Sequence, residues 1–524
     1  MIAGLLLLAV CQDPLAIRAD SVRPRHDAIQ YDVFLNLPET GTHLRAAVTI
    51  RWKLGSADPV RLDLDTTFVV QGATIGDQPA AWQRQGFQIY IAHTGRAGDE
   101  ITTTIRYEGS PRDGLVIRGD DSTRTIFADN WPDRARRWLA SQDHPADKAS
   151  VRWTIEAPAG LTLVATGQFD RADTAGSRVT WRFSMPEPVP VHTMVLGAAR
   201  FATIRLPPGG CAVRCIPLSV LSYPADAAWA AAGPFRRASE MIDLFDHLFG
   251  PFPYGELRHV QSSTIFGGME NSTAIFYDER SWRSGMLSEG TVAHETAHQW
   301  FGDAVSQADW HHLWLSEGFA TYGAALWWEH VGGAPALQKA MQQAADGIRR
   351  NAAQDRPIID TAQQQLMELL NANNYEKGSW VLHSLRGLVG DSAFFRGLRT
   401  YYARYRNGNA LSRDFANVMG EASGQDLDWY FRQALTQPGY PVFDVSTRLA
   451  GDSVVVELTQ VQPASWGIYR LPNLALRLNG APVRFDVTGR RTSHVFPAED
   501  NAPIEVQLDP DGWWLLDVKP GAKP

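Results

Sequence analysis

Apolar and polar positions follow two rhythms along the chain, and the change from one to the other outlines its organisation. From about residue 28 the period is two: Tyr31, Val33, Leu35 and Leu37 alternate with Gln30, Asp32 and Asn36. The stretch Ile101-Thr-Thr-Thr-Ile-Arg-Tyr107 is dense in β-branched side chains, which suit a pleated, half-buried strand. Val60-Arg-Leu-Asp-Leu, Phe87-Gln-Ile-Tyr-Ile, Trp153-Thr-Ile and Val179-Thr-Trp-Arg-Phe continue the pattern, with Gly, Pro and Asp turns between them. This predicts an N-terminal antiparallel β-domain over 21–205. Helical spacing then takes over, beginning with Met241, Ile242, Leu244, Phe245 and Leu248 and stopping at Gly250 before Pro251 and Pro253. Segments 288–301, 312–331, 335–349, 363–372, 375–389, 391–405 and 411–436 read as helices, and Gln437-Pro-Gly-Tyr-Pro441 closes them. A mostly helical domain over 206–440 follows. Strands return with Val454-Val-Val-Glu-Leu458. Leu474, Leu476 and Leu478 then face Val483, Phe485 and Val487 across Asn479-Gly480, the signature of a tight hairpin. The last domain, 441–524, is predicted to be a small β-sandwich, which makes the chain a multi-domain α+β protein.

Length and composition agree with this division. The 524 residues, 44% hydrophobic and 20% charged, call for two to four globular domains rather than a disordered or membrane-embedded chain. Forty-nine basic against 57 acidic residues leave a net charge of −8, which argues against a nucleic-acid partner held by backbone electrostatics. The opening Ile2-Ala-Gly-Leu-Leu-Leu-Leu-Ala-Val10 is long enough for a secretory leader and too short to span a bilayer. Residues 1–20 therefore read as a signal segment, and the protein as exported to a periplasm or the extracellular space, with no transmembrane helix. A lipid anchor on Cys11 is disfavoured by the bulky Val10 before it. Cys211 and Cys215, with three residues between them, suit a small disulfide loop and lack the companion ligands of a zinc site.

The chemistry concentrates in Val292-Ala-His294-Glu295-Thr-Ala-His298-Gln-Trp300. On a helix, residues four apart share a face, so His294 and His298 can reach one metal ion, with Glu295 beside them to act on water. A third ligand is required. Glu317, in His312-Leu-Trp-Leu-Ser-Glu317-Gly-Phe-Ala, follows His298 after 18 intervening residues (317 − 298 − 1). Gly302 and Asp303 can end the first helix so that a second returns against it. Two His, one Glu and an open position make the ligand set of catalytic zinc, one ion per chain. His311 and His312 read as surface or supporting residues at a helix start.

With these residues the chain resembles the gluzincin aminopeptidases of the aminopeptidase N and leukotriene hydrolase family. Two more motifs carry the resemblance: Gly267-Gly-Met-Glu-Asn271, with Glu270 standing 24 positions ahead of His294 (294 − 270), and Tyr375-Glu-Lys-Gly378 beyond the metal helices. The resemblance implies a thermolysin-like catalytic domain and hydrolysis of the first peptide bond of peptides with a free N-terminus. It implies Glu295 as general base, Tyr375 as oxyanion donor, and Glu270 as the carboxylate that pairs with the α-amine. Gly267 and Gly268 would let the peptide backbone approach, Met269 would line the first side-chain pocket, and Asn271 completes the motif. Where many relatives place a second amine anchor, this sequence has Asp129-Asn130-Trp131-Pro132. Either Asp129 substitutes, or Trp131 borders the first subsite and Glu270 works with fewer partners. The chain also ends with its β-domain where larger relatives add a helical cap, which implies a more open cleft. The competing readings are a thermolysin-like endopeptidase, which needs no Gly-Gly-Met-Glu-Asn, and a silent peptide-binding relative, which would have lost a ligand, the base or the tyrosine. The sequence leaves the oligomeric state open.

Overall fold

A computed structural model describes residues 13–20, 23–120, 122–497 and 504–519. The N-terminal domain is built on an eight-stranded sheet. Its strands run Gln168–Ala175, Arg178–Pro190, Lys148–Pro158, Asp27–Asn36, Leu44–Lys53, Glu100–Gly109, Phe68–Ile75 and Gln78–Pro79 in spatial order. The period-two residues do what the pattern asks: Tyr31, Val33, Leu35 and Leu37 are buried, as are Val60, Leu62 and Leu64. The sheet is mixed, however, not wholly antiparallel. Asp27–Asn36 pairs in parallel with Lys148–Pro158, Gln30 opposite Ser150 and Asn36 opposite Glu156. Alternation has the same period in both orientations, so orientation was not readable from it.

Ala202–Gly209 opens a second mixed sheet with Ile216–Ser222, Leu257–Ser262 and Ala274–Asp278. The helical body then packs on this sheet through Ala238–Phe249, whose Met241, Ile242 and Phe245 are buried. The two helices expected at 312–331 and 335–349 lie within Trp314–Arg349, separated by a break at Gly333 (φ 68°, ψ −165°) just before Pro335. Segment 363–372, expected to be helical, is irregular apart from a single turn at Leu366–Leu369. There, side-chain amides compete for the backbone: Asn373 N–H donates to Asn371 Oδ1, and Asn374 Nδ2 donates to the Leu369 carbonyl.

Beyond Pro441 lie two small sheets. One contains Val442–Leu449, Ser453–Gln460, Arg491–Pro497 and Asp517–Val518, the other Leu471–Leu478, Ala481–Val487 and Val506–Leu508. The expected hairpin turn has Asn479 and Gly480 at φ 50° and 82°, the left-handed pair that a two-residue hairpin loop needs. Trp513 stacks on His383 of the helical body at 4.8 Å, and Arg349 pairs with Asp517 at 2.6 Å.

Residues 1–12, with the apolar run and Cys11, lie outside the described residues. Residues 13–20, the end of the segment expected as a leader, pack on the folded body. Leu15 is buried, Asp13 pairs with Arg413 at 2.6 Å, and the Ile17 carbonyl lies 2.8 Å from His312 Nε2. Cys211 and Cys215 are bonded to each other. Among the described residues, no helix is long and apolar enough to cross a membrane.

Candidate active site

Ser288 caps the helix Glu289–His298 by accepting from the Thr291 amide, and the four-residue spacing brings His294 and His298 to one face. The chain turns at Gly302 (φ 124°) and returns as Trp314–Arg349, which presents Glu317. His294 Nε2 lies 3.1 Å from His298 Nε2, and Glu317 Oε2 lies 3.4 and 3.2 Å from them. Three ligands at about 2.0 to 2.1 Å from a tetrahedral ion are separated by edges of about 3.3 Å, so this triangle has the size zinc requires. Glu317 Oε2 is buried without a hydrogen-bond partner, as a ligand atom kept for a cation would be. Burial pushes the Glu317 carboxyl up, but His298 and His294 beside it hold it well below the usual range.

Two supporting contacts orient His298: its Nδ1 lies 3.2 Å from the Phe301 carbonyl and 3.1 Å from Ser316 Oγ. Such outer partners fix which ring nitrogen faces a metal. Only glycine fits at 302, because a Cβ there would come 2.5 Å from Ser316 Oγ and 2.9 Å from His298 Nδ1. Gly302→Ala is therefore expected to displace His298 and weaken metal binding by about 10- to 100-fold, measured by competition with a chelator.

Gly267-Gly-Met-Glu-Asn271 runs along the opposite wall, held by Met269 pairing with Phe276 through both backbone bonds. Gln299, next to His298, secures the strand from behind: its Nε2 donates to the Glu270 carbonyl at 2.8 Å, and its Oε1 accepts from the Thr273 amide at 3.0 Å. Gly268 lies so close to Glu295 that a Cβ there would overlap the carboxylate. Burial and the nearby Glu270 and Glu317 push the Glu295 carboxyl well up, against the pull of His298. Tyr375 enters from a turn at Asn373–Lys377 and stacks on His294 at 6.0 Å, its ring 5° from parallel. Gly318 and Gly378 let that turn approach, since a Cβ on Gly318 would lie 2.8 Å from the Gly378 carbonyl carbon. Burial and the neighbouring carboxylates push the Tyr375 phenol far up, so it stays protonated.

These residues line one open cleft of about 230 Å³: Gly267, Gly268, Met269, Glu270, His294, Glu295, His298, Glu317, Tyr375 and Trp131, joined by Phe266 and Leu370. Asp129 is not among them. Its carboxylate is buried against Arg134 Nη2 at 2.6 Å and the Ile265 amide. Asn271 is not among them either; its backbone carbonyl accepts from the Ala274 amide and shapes the turn. His311 and His312 are buried rather than on the surface. Phe266, Leu370, Ser316 and Gln299 carried no sequence signal beyond adjacency to the motifs.

The sequence profile of the peptidase family M1 domain matches residues 235–433, a span that takes in every residue of the metal triangle. That stretch of the chain is similar to the peptidase family M1 domain. Leucyl aminopeptidase of Saccharolobus solfataricus is 25% identical over 439 residues, covering 78% of this chain and 52% of its own length. A variant of an M1 zinc metallopeptidase from Deinococcus radiodurans has a TM-score of 0.70 at 25% identity, covering 79% of this chain and 95% of that one. A further variant of that metallopeptidase, bound to a Tyr-Ser-Ala substrate, has a TM-score of 0.69 at 24% identity, covering 78% and 94%. The chain spans about half the length of the curated relatives it matches.

Proposed function

We propose that the protein is a zinc aminopeptidase that releases the first residue of peptides. The observation that carries this reading is the buried Glu270 carboxylate facing into the same cleft as the metal triangle, because a carboxylate placed there can hold the α-ammonium and bring only the first peptide bond to the ion. His294, His298 and Glu317 would hold zinc, which would supply a Lewis acid for the carbonyl and for water near neutral pH. Glu295 takes the proton from the attacking water and hands it to the leaving amine. Its carboxyl, made more basic by burial, suits that exchange. The Tyr375 hydroxyl donates to the oxygen that gains negative charge as the carbonyl becomes tetrahedral, a donation that adds no charge of its own. The Met269 strand edge aligns the peptide backbone. Trp131, Phe266, Met269 and Leu370 give the first side chain apolar surroundings. A relative named leucyl aminopeptidase and a structural neighbour variant that holds Tyr-Ser-Ala support a peptide substrate.

The test is Glu270→Ala assayed on aminoacyl anilides. Loss of a charge-assisted bond of about 1.5 to 3 kcal/mol is expected to lower kcat/KM by about 10- to 100-fold. The wild-type chain is expected to leave N-acetylated substrates intact. Equal cleavage of free and N-acetylated peptides would favour the endopeptidase reading instead.

A further inference from the structure

A second cluster of metal-ligating side chains lies behind the cleft wall, on the far side of Trp310. Asp20 comes from the N-terminal segment, His144 from the first domain, and Asp309 and His311 from the turn that leads into Trp314–Arg349. All four are buried: their side chains are 7%, 7%, 1% and 2% exposed, respectively.

His311 Nε2 lies 2.9 Å from the Gln363 carbonyl oxygen. That oxygen can only accept, so Nε2 carries a hydrogen. In the neutral ring Nδ1 is then a lone pair, and it faces Asp309 Oδ1 at 2.8 Å and Asp20 Oδ1 at 3.5 Å. A histidine whose far nitrogen is tied to a backbone carbonyl while the near one meets carboxylate oxygens has the arrangement of a metal ligand. The three donor atoms lie within 4.8 Å of one another.

Charge leads to the same conclusion. Two buried carboxylates need compensation, and the arginine lining this cavity, Arg136, is taken by Asp143 at 3.2 Å and Asp133 at 3.6 Å. One proton on His311 would serve Asp309 at hydrogen-bond distance and leave Asp20 only partly balanced. His144 Nδ1 accepts from the Ala146 amide at 3.1 Å, so its Nε2 carries a hydrogen and turns it toward Asp20 Oδ2 at 3.1 Å, which orients that carboxylate toward the cluster. The remaining bonds position the carboxylates: the Asp20 amide donates to Asp309 Oδ2, the Trp310 amide to Asp20 Oδ2, and the His311 amide to Asp309 Oδ1.

We propose that Asp20, Asp309 and His311 bind a second divalent cation, distinct from the one at His294, His298 and Glu317. A set of two carboxylate oxygens and one imidazole nitrogen selects a borderline transition ion, zinc first by affinity order. The role of such an ion is structural. It joins the segment 13–20 to the turn carrying Trp310, whose ring packs on Trp131 at 5.5 Å, and so stiffens one wall of the cleft.

The experiment uses the full chain equilibrated with zinc and then analysed for metal by mass spectrometry. Wild type is expected to hold about two zinc ions per chain, and a chain with His298 and Glu317 both replaced by Ala is expected to retain one. Adding Asp20→Asn and His311→Gln to that variant is expected to remove it. Because Asp20 lies on a terminal segment, Asp20→Asn alone tests the site in a chain that still folds, and it should lower the retained zinc. In the variant lacking His298 and Glu317, zinc should also raise the Tm of the chelator-treated protein. A wild type with one zinc, together with a variant that holds none and whose Tm zinc leaves unmoved, would overturn the proposal in favour of a proton shared between His311 and Asp309. Neither readout depends on peptidase activity.

Discussion

Glu295→Gln is expected to lower turnover of aminoacyl anilides by about 100- to 10,000-fold while leaving the bound metal in place. The amide matches the carboxylate in size, so it fits the same buried position against Gly268, but it cannot accept a proton. The metal measurement is as informative as the rate. Glu270, Glu295 and His298 also bring three ligand-type atoms within 4.8 Å of one another, so Glu295 has a geometric alternative as a ligand. The triangle with Glu317, at 3.1 to 3.4 Å on each edge, is the one that leaves Glu295 free as the base. Activity lost with metal retained is the outcome for a base. Metal lost along with activity would make Glu295 a ligand and remove it from proton transfer.

Glu317→Ala is expected to abolish activity to the background of the assay, a loss of at least about 1,000-fold, through loss of the ion itself. Its carboxylate is the one anionic member of the triangle, and without it two imidazoles face each other across a cation with no charge to offset. Chelation of the wild-type chain should give the same loss, reversed by added zinc. The variant should not recover at zinc levels that restore the chelated wild type. Recovery at the same zinc concentration would mean that the third ligand comes from elsewhere in the cleft. Activity that survives both treatments would remove metal catalysis altogether.

The two-rhythm pattern carried the order of elements well because both rhythms are local. Strand alternation and helical spacing depend only on which side of a sheet or cylinder meets apolar surroundings. The same locality explains where it stopped. Segment 363–372 has the composition of a helix, yet Asn371 and Asn374 bond to nearby backbone and leave Leu370 on the cleft wall. The parallel pairing of Asp27–Asn36 with Lys148–Pro158 joins strands more than a hundred residues apart, a choice that alternation does not encode.

The candidate site divides along the same line. His294, His298 and Glu295 were legible because one helical turn relates them, and Glu317 because a short return between two helices limits where a third ligand can stand. The sequence by itself thus determined the candidate ligand pattern and the residue types available for the chemistry. What only the tertiary structure decided is which side chains from distant segments share the cleft. Trp131 borders it, while Asp129, two residues earlier, is held by Arg134 and Ile265. Phe266 and Leu370 complete its apolar side, and Gln299 and Ser316 hold its strand and its ligand. Asp20 meets Asp309 and His311 only because residues 13–20 fold back on the helical body. Periodicity reports which face of an element is buried. It says nothing of the partner that buries it, which is set by long-range packing and the pairing of buried charge.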